Sequence, residues 1–456
     1  MEKTFLVLAA GLGTRMKSNL PKVLHSFDNK PIIYNILNKL KDINSFDIKV
    51  VVGHKKELVI DSINKWGNIN NIKVEFIEQK VLKGSGEAVI ESLDSIRRYE
   101  TVVILSGDVP LIKRNTLVKM IRDFEHKKAD VVLLTAFLDD PSNYGRIIRD
   151  KRGRITAITE ESELSDEEHS IREINSGIYV FNVKKLSEAL RCIKPKGPKR
   201  EIFLTDVVNE IYKKGGVISS VSVKDSDEVY GPNSKEALVD LEKRYYVKNA
   251  KEHLENGVII KSMDLTWISE DVKIGRDSVI YPNTYIYGKT VIGENCVIGP
   301  DVIIEDSVIN NNSNIKAFCV ISDSVVGENA SVGPFSHIRP QSNIGRSAKI
   351  GNFCEIKKSN IGARSKVQHL SYIGDTEMGS DVNIGAGTIT CNYDGIKKNK
   401  TVIADGAFIG SNTNLVAPVN VGKNSLIGAG STITDDVPDN ALAIARARQI
   451  IKEKKR

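Results

Sequence analysis

Between residues 274 and 428 an aliphatic residue is followed by glycine thirteen times, and most gaps between these pairs measure 6, 12 or 18 residues. The underlying unit is therefore a hexapeptide. A six-residue period suits neither an α-helix nor an alternating strand, but it is typical of a parallel β-helix in which each flat side takes one hexapeptide. The aliphatic residues are Ile274, Ile292, Ile298, Val326, Val332, Ile344, Ile350, Ile361, Ile373, Ile384, Ile409, Val421 and Ile427.

In such a coil the aliphatic side chain points into the core. The glycine beside it would supply either a positive φ or a close backbone approach at each corner. Gaps that break the count, such as 327–332 and 362–373, are expected to hold loops or bulges. Thirteen pairs that are largely in phase are very unlikely to arise by chance. The pattern therefore predicts an all-β second half.

The first half of the chain has a different pattern, in which short apolar runs alternate with amphipathic stretches. This alternation predicts buried parallel strands separated by helices, and so a doubly wound α/β domain with ligands at the carboxyl ends of its strands. The predicted strands are 5–10, 48–53, 102–105, 131–137 and 177–181, and predicted helices include 32–40 and 115–124.

A long charged segment joins the two patterns. Residues 235–254 predict one helix with Leu238, Leu241, Tyr245 and Leu254 on one side. The expected domains are 1–235 for the α/β part, 236–256 for a helical linker and 257–456 for the β-helix.

Composition narrows the possible functions. The 456 residues are 41% hydrophobic and 27% charged with a net charge of +7, as in an ordinary globular protein. The basic residues are scattered except in the tail 452–456, which favours small anionic ligands and argues against nucleic acid as a partner. No run approaches the roughly 20 apolar residues that span a bilayer, so no membrane partner is expected. Five cysteines without a CxxC pair indicate neither disulfides nor zinc, which fits a cytoplasmic location.

A glycine-rich loop follows the first predicted strand directly. It contains Gly11, Gly13 and Arg15, and Lys22 follows Pro21 shortly afterwards. Glycines let backbone N–H groups face an anion, and the two basic side chains add positive charge. Because both the dinucleotide-binding spacing and a Walker motif are absent, the loop predicts a different kind of phosphate-handling site.

These residues resemble the sugar nucleotidyltransferases, Rossmann-like enzymes that join a nucleoside triphosphate to a sugar 1-phosphate and release pyrophosphate. The resemblance implies catalytic roles for Arg15 and Lys22, and Mg²⁺ ligands at Asp108 and Asn233. The structural alternative for Asp108 is a turn aspartate that caps the next helix. The substrate-binding residues that the resemblance implies are Leu8, Ala9, Ala10, Gly11, Gln79, Gly84, Ser85, Ser106, Gly107, Gly145, Glu160, Asn175 and Asn233.

Chemically dense segments interrupt the hexapeptide pattern, above all the run from Asn383 through Cys391 and Asn392 to Gly395. In their order, over essentially the full chain, the motifs closely resemble the bifunctional N-acetylglucosamine-1-phosphate uridyltransferase / glucosamine-1-phosphate N-acetyltransferase family of bacteria. The resemblance implies a left-handed β-helix and acetyl-CoA as co-substrate. It also implies a homotrimer with acetyl-transfer sites between neighbouring β-helices, and a role in supplying peptidoglycan and lipopolysaccharide synthesis.

The residue chemistry agrees with this resemblance. Arg339 and Lys357 suit the phosphate of glucosamine 1-phosphate. Its ammonium group must lose a proton, and His369 is the best candidate base because histidine titrates nearest neutral pH. A lone histidine is more often structural, but this one falls among the matching residues. Tyr372 and Asn383 would orient the sugar. Acetyl-CoA contacts are implied for Ala386, Asn392, Tyr393, Ser411, Ala429 and Arg446.

The match departs from the family in the loop expected to bind uracil. The family usually has Leu-Gly-Thr-Gly-His-Ala where this chain has Lys83-Gly84-Ser85-Gly86-Glu87-Ala88, and Ser106 stands where an aromatic residue is common. One alternative is a monofunctional sugar-1-phosphate nucleotidyltransferase with a structural β-helix, against which His369 argues. Another is a non-catalytic subunit of the kind found in translation-factor complexes, against which Lys22 and Asp108 argue.

Overall fold

The computed structural model describes residues 2–43, 46–81, 83–196 and 200–453. The chain divides into two units, Met1–Glu242 and Lys243–Arg456, each considered by itself below.

The division falls within a 21-residue helix, Lys235–Glu255, whose bounds agree with the expected connector. Leu238, Leu241 and Tyr245 are buried as expected, whereas Leu254, expected on the same side, is 37% exposed. Burial along the helix therefore continues through Tyr246 and Ala250 and ends before Leu254.

The first unit alternates strands and helices as predicted. Its strands are β1 Lys3–Leu8, β2 Ser26–Phe27, β3 Lys30–Pro31, β4 Phe46–Val52, β5 Val74–Glu78, β6 Thr101–Ser106, β7 Val131–Phe137, β8 Arg146–Arg149, β9 Ile155–Thr159, β10 Glu173–Asn182 and β11 Ile218–Val223. The helices are α1 Ile32–Lys41, α2 Lys56–Asn70, α3 Ser85–Ile96, α4 Arg114–Lys127, α5 Val183–Leu190, α6 Asp206–Lys213 and α7 Lys235–Glu255.

The strand order of the main sheet is β11-β7-β10-β6-β1-β4-β5, with β8 paired to β10 and β9 paired to β8. Strand β1 runs parallel to both neighbours, and Leu8 pairs with Ser106 of β6 and Val51 of β4. The carboxyl ends of these strands therefore meet at one edge, where the glycine-rich loop and Asp108 begin. The strand expected at 177–181 is part of β10 but runs antiparallel to β6 and β7, because an apolar run does not encode strand direction.

The second unit is a parallel β-helix with three sheets. The strands of the first face are Ile259–Ile260, Val279–Ile280, Val297–Ile298, Asn314–Ile315, Ser331–Val332, Lys349–Asn352, Lys366–His369, Asn383–Ile384, Phe408–Ile409, Leu426–Ile427 and Leu442–Ala443. Those of the second face are Thr266–Ile268, Thr284–Tyr287, Ile303–Glu305, Val320–Ser322, His337–Ile338, Glu355–Lys357, Tyr372–Gly374, Ile389–Cys391, Asn414–Val416 and Thr432–Ile433. Those of the third face are Lys273–Ile274, Val291–Ile292, Val308–Ile309, Ser324–Val326, Ser342–Ile344, Asn360–Ile361, Thr376–Met378, Thr401–Ile403 and Val419–Val421.

The aliphatic residue of each hexapeptide stacks on its counterpart in the next coil and forms one continuous core. On the first face, Ile298, Ile315, Val332 and Ile350 are each at most 2% exposed. The period-six pattern therefore predicted both the coil and the buried position within each side.

The glycines act mainly through close approach. A Cβ at Gly362 would lie 2.2 Å from the carbonyl carbon and oxygen of Gly379 in the next coil, which no side chain could accommodate. Of the thirteen glycines in the pairs, all within the described residues, Gly333 alone has a positive φ. Most left-handed corner residues of the coil are instead Asn or Asp, such as Asn295 and Asp301, whose short side chains tolerate this conformation.

The loops expected at 327–332 and 362–373 are wrong. The aliphatic residues that bound these segments are 6 and 12 residues apart, so the count is unbroken and ordinary corners and strands fill both. The irregularity lies elsewhere. The coil shortens by one residue on some sides, as between Ile304 and Ile309, and a long insertion separates Cys391 from Thr401. Among the described residues no helix is long and apolar enough to cross a membrane.

Candidate active sites

The glycine-rich loop lines a cavity of about 340 Å³ at the carboxyl edge of the first unit's sheet. Gly13 adopts a left-handed conformation with φ of 58°, and a Cβ at Gly107 would lie 2.9 Å from the carbonyl oxygen of Leu8. Glycine at 107 thus lets the ends of β1 and β6 approach closely. The cavity-lining residues are Leu8, Ala9, Ala10, Gly11, Leu12, Gly13, Lys22, Val23, Gln79, Gly84, Ser85, Ala88, Ser106 and Asp108.

A compact polar cluster lies at one side of this cavity. The Lys22 ammonium donates to Asp108 Oδ2 and, over 2.9 Å, to Asn233 Oδ1, while Ser106 Oγ donates to Asp108 Oδ1 over 2.5 Å. Burial raises the pKa of Asp108, but the charge of Lys22 and the hydrogen bonds from Lys22 and Ser106 outweigh it and hold the pKa below its ordinary value. The carboxylate is therefore ionised at neutral pH.

The same cluster has oxygen ligands of the kind that a magnesium ion would require. Asp108 and Asn233 direct their oxygens at one cation, the Lys22 ammonium, although 125 residues separate them in sequence. Among the described residues, no group of three or more His, Cys, Asp or Glu side chains could hold a metal alone. Mg²⁺ commonly binds one or two carboxylates and completes its shell with water and substrate phosphates. One carboxylate and one amide oxygen fit an ion carried by a nucleotide.

Arg15 is the expected catalytic residue that the structure leaves apart. It lies in a short 3-10 helix, Thr14–Met16, is exposed, and does not line the cavity. Its catalytic role stays a prediction.

The loop expected to bind uracil forms one wall of the cavity. The Gln79 amide donates to the carbonyl oxygens of Val81 and Gly84 over 2.9 and 3.2 Å, and Gly84 has φ of 94°. Ser85 Oγ accepts a hydrogen bond from the N–H of Leu204 over 3.3 Å. Gln79, Gly84 and Ser85 are therefore brought together.

The residues expected to hold the sugar form a second group. Gly145 O accepts from the N–H of Asn175 over 2.9 Å, and a Cβ at Gly145 would lie 3.7 Å from Glu160 Oε2. The Asn175 amide donates to the Tyr179 hydroxyl over 2.7 Å. Burial raises the pKa of Glu160, and Thr205 donates a hydrogen bond to it over 2.7 Å. Gly145, Glu160 and Asn175 do not line the 340 Å³ cavity.

On the second face of the β-helix, side chains from several coils form a polar cluster. The Asn392 amide donates to the Asp375 carboxylate and, over 3.3 Å, to the Tyr372 hydroxyl. Tyr372 pairs in the strand ladder with Glu355, whose carboxylate accepts from Arg339 Nη1 over 2.8 Å. The pKa of Arg339 is raised by this hydrogen bond.

Two lysines meet beside this cluster. The hydrogen bond and positive charge of Lys357 lower the pKa of Lys398, while Asp375 and Tyr372 oppose that shift. Two neighbouring ammonium groups repel each other unless an anion lies between them, so this pair is suited to a phosphate.

His369 lies across a corner from Tyr372, at the end of the strand Lys366–His369. Its side chain is exposed and makes no hydrogen bond or ion pair with any other residue that the structure describes. Asn383 occupies the next strand of the same face, where it pairs with Lys366. The histidine is therefore free to contact a substrate.

The residues expected to contact acetyl-CoA form a column across successive coils. Ala386 O accepts from Asn412 N and Ser411 O from Gly430 N, each over 2.7 Å, and Arg446 Nη1 donates to Ala429 O over 2.7 Å. Ser411 and Ala429 are exposed in this column. Tyr393 lies apart in the insertion, 61% exposed.

Comparison with known proteins gives the family. The profile described as Nucleotidyl transferase matches residues 4–246, EIF2B subunit epsilon LbH domain matches 253–356, and Bacterial transferase hexapeptide (six repeats) matches 400–435. "Bifunctional protein GlmU" of Carboxydothermus hydrogenoformans is 47% identical over 98% of both chains. That of Thermotoga maritima is 48% identical over 98% of this chain and 97% of its own length. The chain belongs to the GlmU family.

This membership confirms the resemblance found in the sequence, the nucleotidyltransferase domain and the left-handed hexapeptide β-helix, and it favours two activities over one. The loop that departs from the usual GlmU pattern can be placed relative to the cavity. Neither Lys83 nor Glu87 lines the cavity, whereas Ala88 does. Lys83 and Glu87 therefore lie outside the cavity lining, whereas Ser106, where an aromatic residue is common in the family, is part of it.

Sequence reasoning missed three polar residues of these sites, Thr205, Asp375 and Lys398. Asp375 and Lys398 stand near motif residues in sequence, but only the coil shows that they meet Asn392 and Lys357. Thr205 precedes a helix and resembles an ordinary cap in sequence.

Proposed function

We propose that this chain makes UDP-N-acetylglucosamine in two steps at two separate sites. The second unit acetylates glucosamine 1-phosphate with acetyl-CoA, and the first unit joins the product to UMP from UTP and releases pyrophosphate. The observation that carries the proposal is that each unit has its own cluster of charged groups, one around Lys22 and Asp108 and the other around Lys357 and Asn392.

In the first unit, backbone N–H groups of residues 9–13 and the Lys22 ammonium would hold the triphosphate. An oxygen of the sugar phosphate attacks the α-phosphate of UTP, and pyrophosphate leaves from the opposite side. Lys22 and Arg15 would stabilise the negative charge that develops during this transfer. Asp108 and Asn233 would hold Mg²⁺, which supplies further charge stabilisation when bound. Uridine specificity would come from Gln79, Gly84 and Ser85.

In the second unit, Arg339 and Lys357 would bind the phosphate of glucosamine 1-phosphate. Tyr372, Asn383 and Asn392 would orient the sugar, so that its amino group faces His369. The imidazole takes a proton from the ammonium, and the free amine attacks the thioester carbonyl and expels the coenzyme A thiolate. The column of Ala386, Ser411 and Ala429 would bind acetyl-CoA, with Tyr393 at its side and Arg446 near its phosphates.

The domain assignments 1–235, 236–256 and 257–456 follow from these roles. One contact qualifies the first boundary, because Glu242 accepts a hydrogen bond from the N–H of Asp28 over 2.8 Å. A free-standing first domain would therefore need the start of α7 as well as residues 1–235.

The active protein would be a homotrimer, in which neighbouring β-helices complete the acetyl-transfer site. The chain has an apolar ridge, defined as Phe318, Phe335, Phe353 and Leu370, at one corner of successive coils. The four side chains are 46–65% exposed, and the three phenyl rings stack with centroids 4.7 and 5.2 Å apart. Exposed apolar groups of this extent mark association surfaces. The ridge ends beside His369, so a partner that covers it would reach the proposed base.

A charge in the apolar ridge tests this assembly. All four ridge residues have positive φ, which bulky side chains disfavour, while Asn283 and Asp301 occupy the same corner in earlier coils. Phe335→Asp should therefore leave the coil folded while it disrupts association. We expect light scattering to show monomers. Acetyl transfer should fall more than about ten-fold, which corresponds to a loss of ~1.4 kcal/mol in free energy, because the neighbouring β-helix no longer completes the site. Uridylyl transfer should change little.

The matched control is Val308→Asp, which places the same charge at a 37% exposed position on the third face. It should remain a trimer. If Phe335→Asp also keeps the parent's mass and acetyl transfer, the ridge is not the interface.

The proposed partners are small molecules and copies of the same chain, and the proposed location is the cytoplasm. Two half-reactions test the function directly. Purified protein should release pyrophosphate from UTP with N-acetylglucosamine 1-phosphate, and free thiol from acetyl-CoA with glucosamine 1-phosphate. Pyrophosphate release without thiol release would favour the monofunctional alternative.

A further inference from the structure

A short segment, Ile202–Thr205, lies between the loop proposed for uracil and the carboxylate proposed for the sugar. On the uracil side it forms three hydrogen bonds with the loop. Ile202 N donates to Lys83 O over 3.1 Å, Gly86 N donates to Ile202 O over 2.9 Å, and Leu204 N donates to Ser85 Oγ over 3.3 Å. The hydroxyl proposed to recognise the base thus also holds this segment.

The contact between the two segments is tight. A Cβ at Gly84 would lie 2.6 Å from the carbonyl oxygen of Ile202, and one at Gly86 would lie 2.7 Å from the same atom. Backbone cannot yield as the end of a flexible side chain can. A shift of the uracil loop must therefore move Ile202 and the residues that follow it.

On the sugar side the segment ends in Thr205, at the N-cap of α6. A threonine there ordinarily accepts a hydrogen bond from the first turn of its helix, and that would be its structural role. The Thr205 side chain makes no such cap bond. It is 5% exposed, and its hydroxyl instead donates to Glu160 Oε1 over 2.7 Å.

Glu160 requires such a donor. Burial raises its pKa, and the negative charges of Asp206 and Glu163 act in the same direction. The Thr205 hydrogen bond and the charge of Lys196 oppose this rise. Removal of the hydroxyl would therefore favour the protonated acid and leave the carboxyl group free to rotate.

We propose that Thr205 is a positioning residue that directs the Glu160 carboxylate at the sugar, and that residues 202–205 connect it to the uracil-binding loop. The inference rests on the proposed uridylyl transfer. An occupied uracil loop fixes Ser85 and Gly86, these fix Ile202 and Leu204, and Thr205 then presents Glu160 in one orientation. The nucleotide subsite thereby helps to organise the sugar subsite.

The first test compares Thr205→Val, which keeps the shape, with Thr205→Ser, which keeps the hydroxyl. In the full-length protein we expect Thr205→Val to raise the KM for N-acetylglucosamine 1-phosphate by roughly 10–100-fold, the span for a lost hydrogen bond to a charged group. The KM for UTP should stay within about two-fold, and Thr205→Ser should restore the parent's behaviour. Equal rises in both KM values would overturn the positioning role.

The pH profile gives a readout that a packing defect would not move. Because the hydroxyl stabilises the ionised carboxylate, its loss should shift the acid limb of kcat/KM for the sugar phosphate to higher pH. Adding Thr205→Val to a Glu160→Gln background should cost little more, since the carboxylate is already gone. Additive losses would mean that Thr205 acts independently of Glu160.

Acetyl transfer, made in the other unit, reports whether each variant is folded. If the parent protein releases no pyrophosphate, the proposed function fails. If the parent is active and Thr205→Val leaves the sugar-phosphate KM and the acid limb unchanged, the inference alone fails.

Discussion

Replacing Asp108 with alanine is expected to abolish uridylyl transfer. Its carboxylate is held by the Lys22 ammonium and the Ser106 hydroxyl, and together with the Asn233 amide oxygen it forms the proposed Mg²⁺ site. Alanine removes the charged ligand, and no neighbouring side chain of the cluster replaces it. Phosphoryl transfer depends mainly on electrostatic stabilisation of the transition state and on positioning of the reacting groups. Pyrophosphate release from UTP should fall to background.

Acetyl transfer is the internal control for this variant and should match that of the parent. Asp108→Asn separates charge from shape, because the amide keeps an oxygen donor but loses the negative charge. We expect it to be severely impaired and to require more magnesium. An undiminished rate in Asp108→Ala would show that the metal is held elsewhere in the chain.

Replacing His369 with alanine is expected to lower acetyl transfer by roughly 10²–10⁴-fold, the usual contribution of a general base. The imidazole is exposed at the end of its strand and makes no polar contact with the other described residues, as a group that receives a substrate proton should. Thiol release from acetyl-CoA measures the loss. Binding of glucosamine 1-phosphate should persist, because Arg339 and Lys357 remain.

Uridylyl transfer should be unaffected in this variant, and the proposed trimer should stay intact. His369→Gln, which keeps a polar side chain without a titratable ring, should be as inactive as the alanine variant. Acetylation within a few-fold of the parent would demote His369 to a structural residue and make Asn392 the better candidate for handling the proton.

The sequence predicted the β-helix well because each hexapeptide repeats one physical requirement. One aliphatic side chain must fill the core and one glycine must avoid the next coil, so a period of six is visible without any structure. The corners were less predictable. Positive φ among the non-glycine corner residues is carried mostly by Asn and Asp, with the four ridge residues among the exceptions, and no local rule places an exposed phenylalanine there.

Strand direction and long-range contacts could not be predicted from the sequence. Strand β10 is apolar like its neighbours, yet it runs antiparallel to them, because direction depends on the connections and not on the side chains. Lys22, Asp108 and Asn233 could be assigned to one site only through the family resemblance, because no local sequence pattern links them. Thr205 and Asp375 were missed for the same reason, because their partners stand 45 and 17 residues away.

The most direct test of the account follows one acetyl group through both sites. Purified protein is given glucosamine 1-phosphate, magnesium, UTP and acetyl-CoA labelled in the acetyl carbonyl, and the products are separated by chromatography. We expect the label in UDP-N-acetylglucosamine, and in N-acetylglucosamine 1-phosphate alone when UTP is omitted. Label that never leaves acetyl-CoA, while added N-acetylglucosamine 1-phosphate is still uridylylated, would contradict the two-site account.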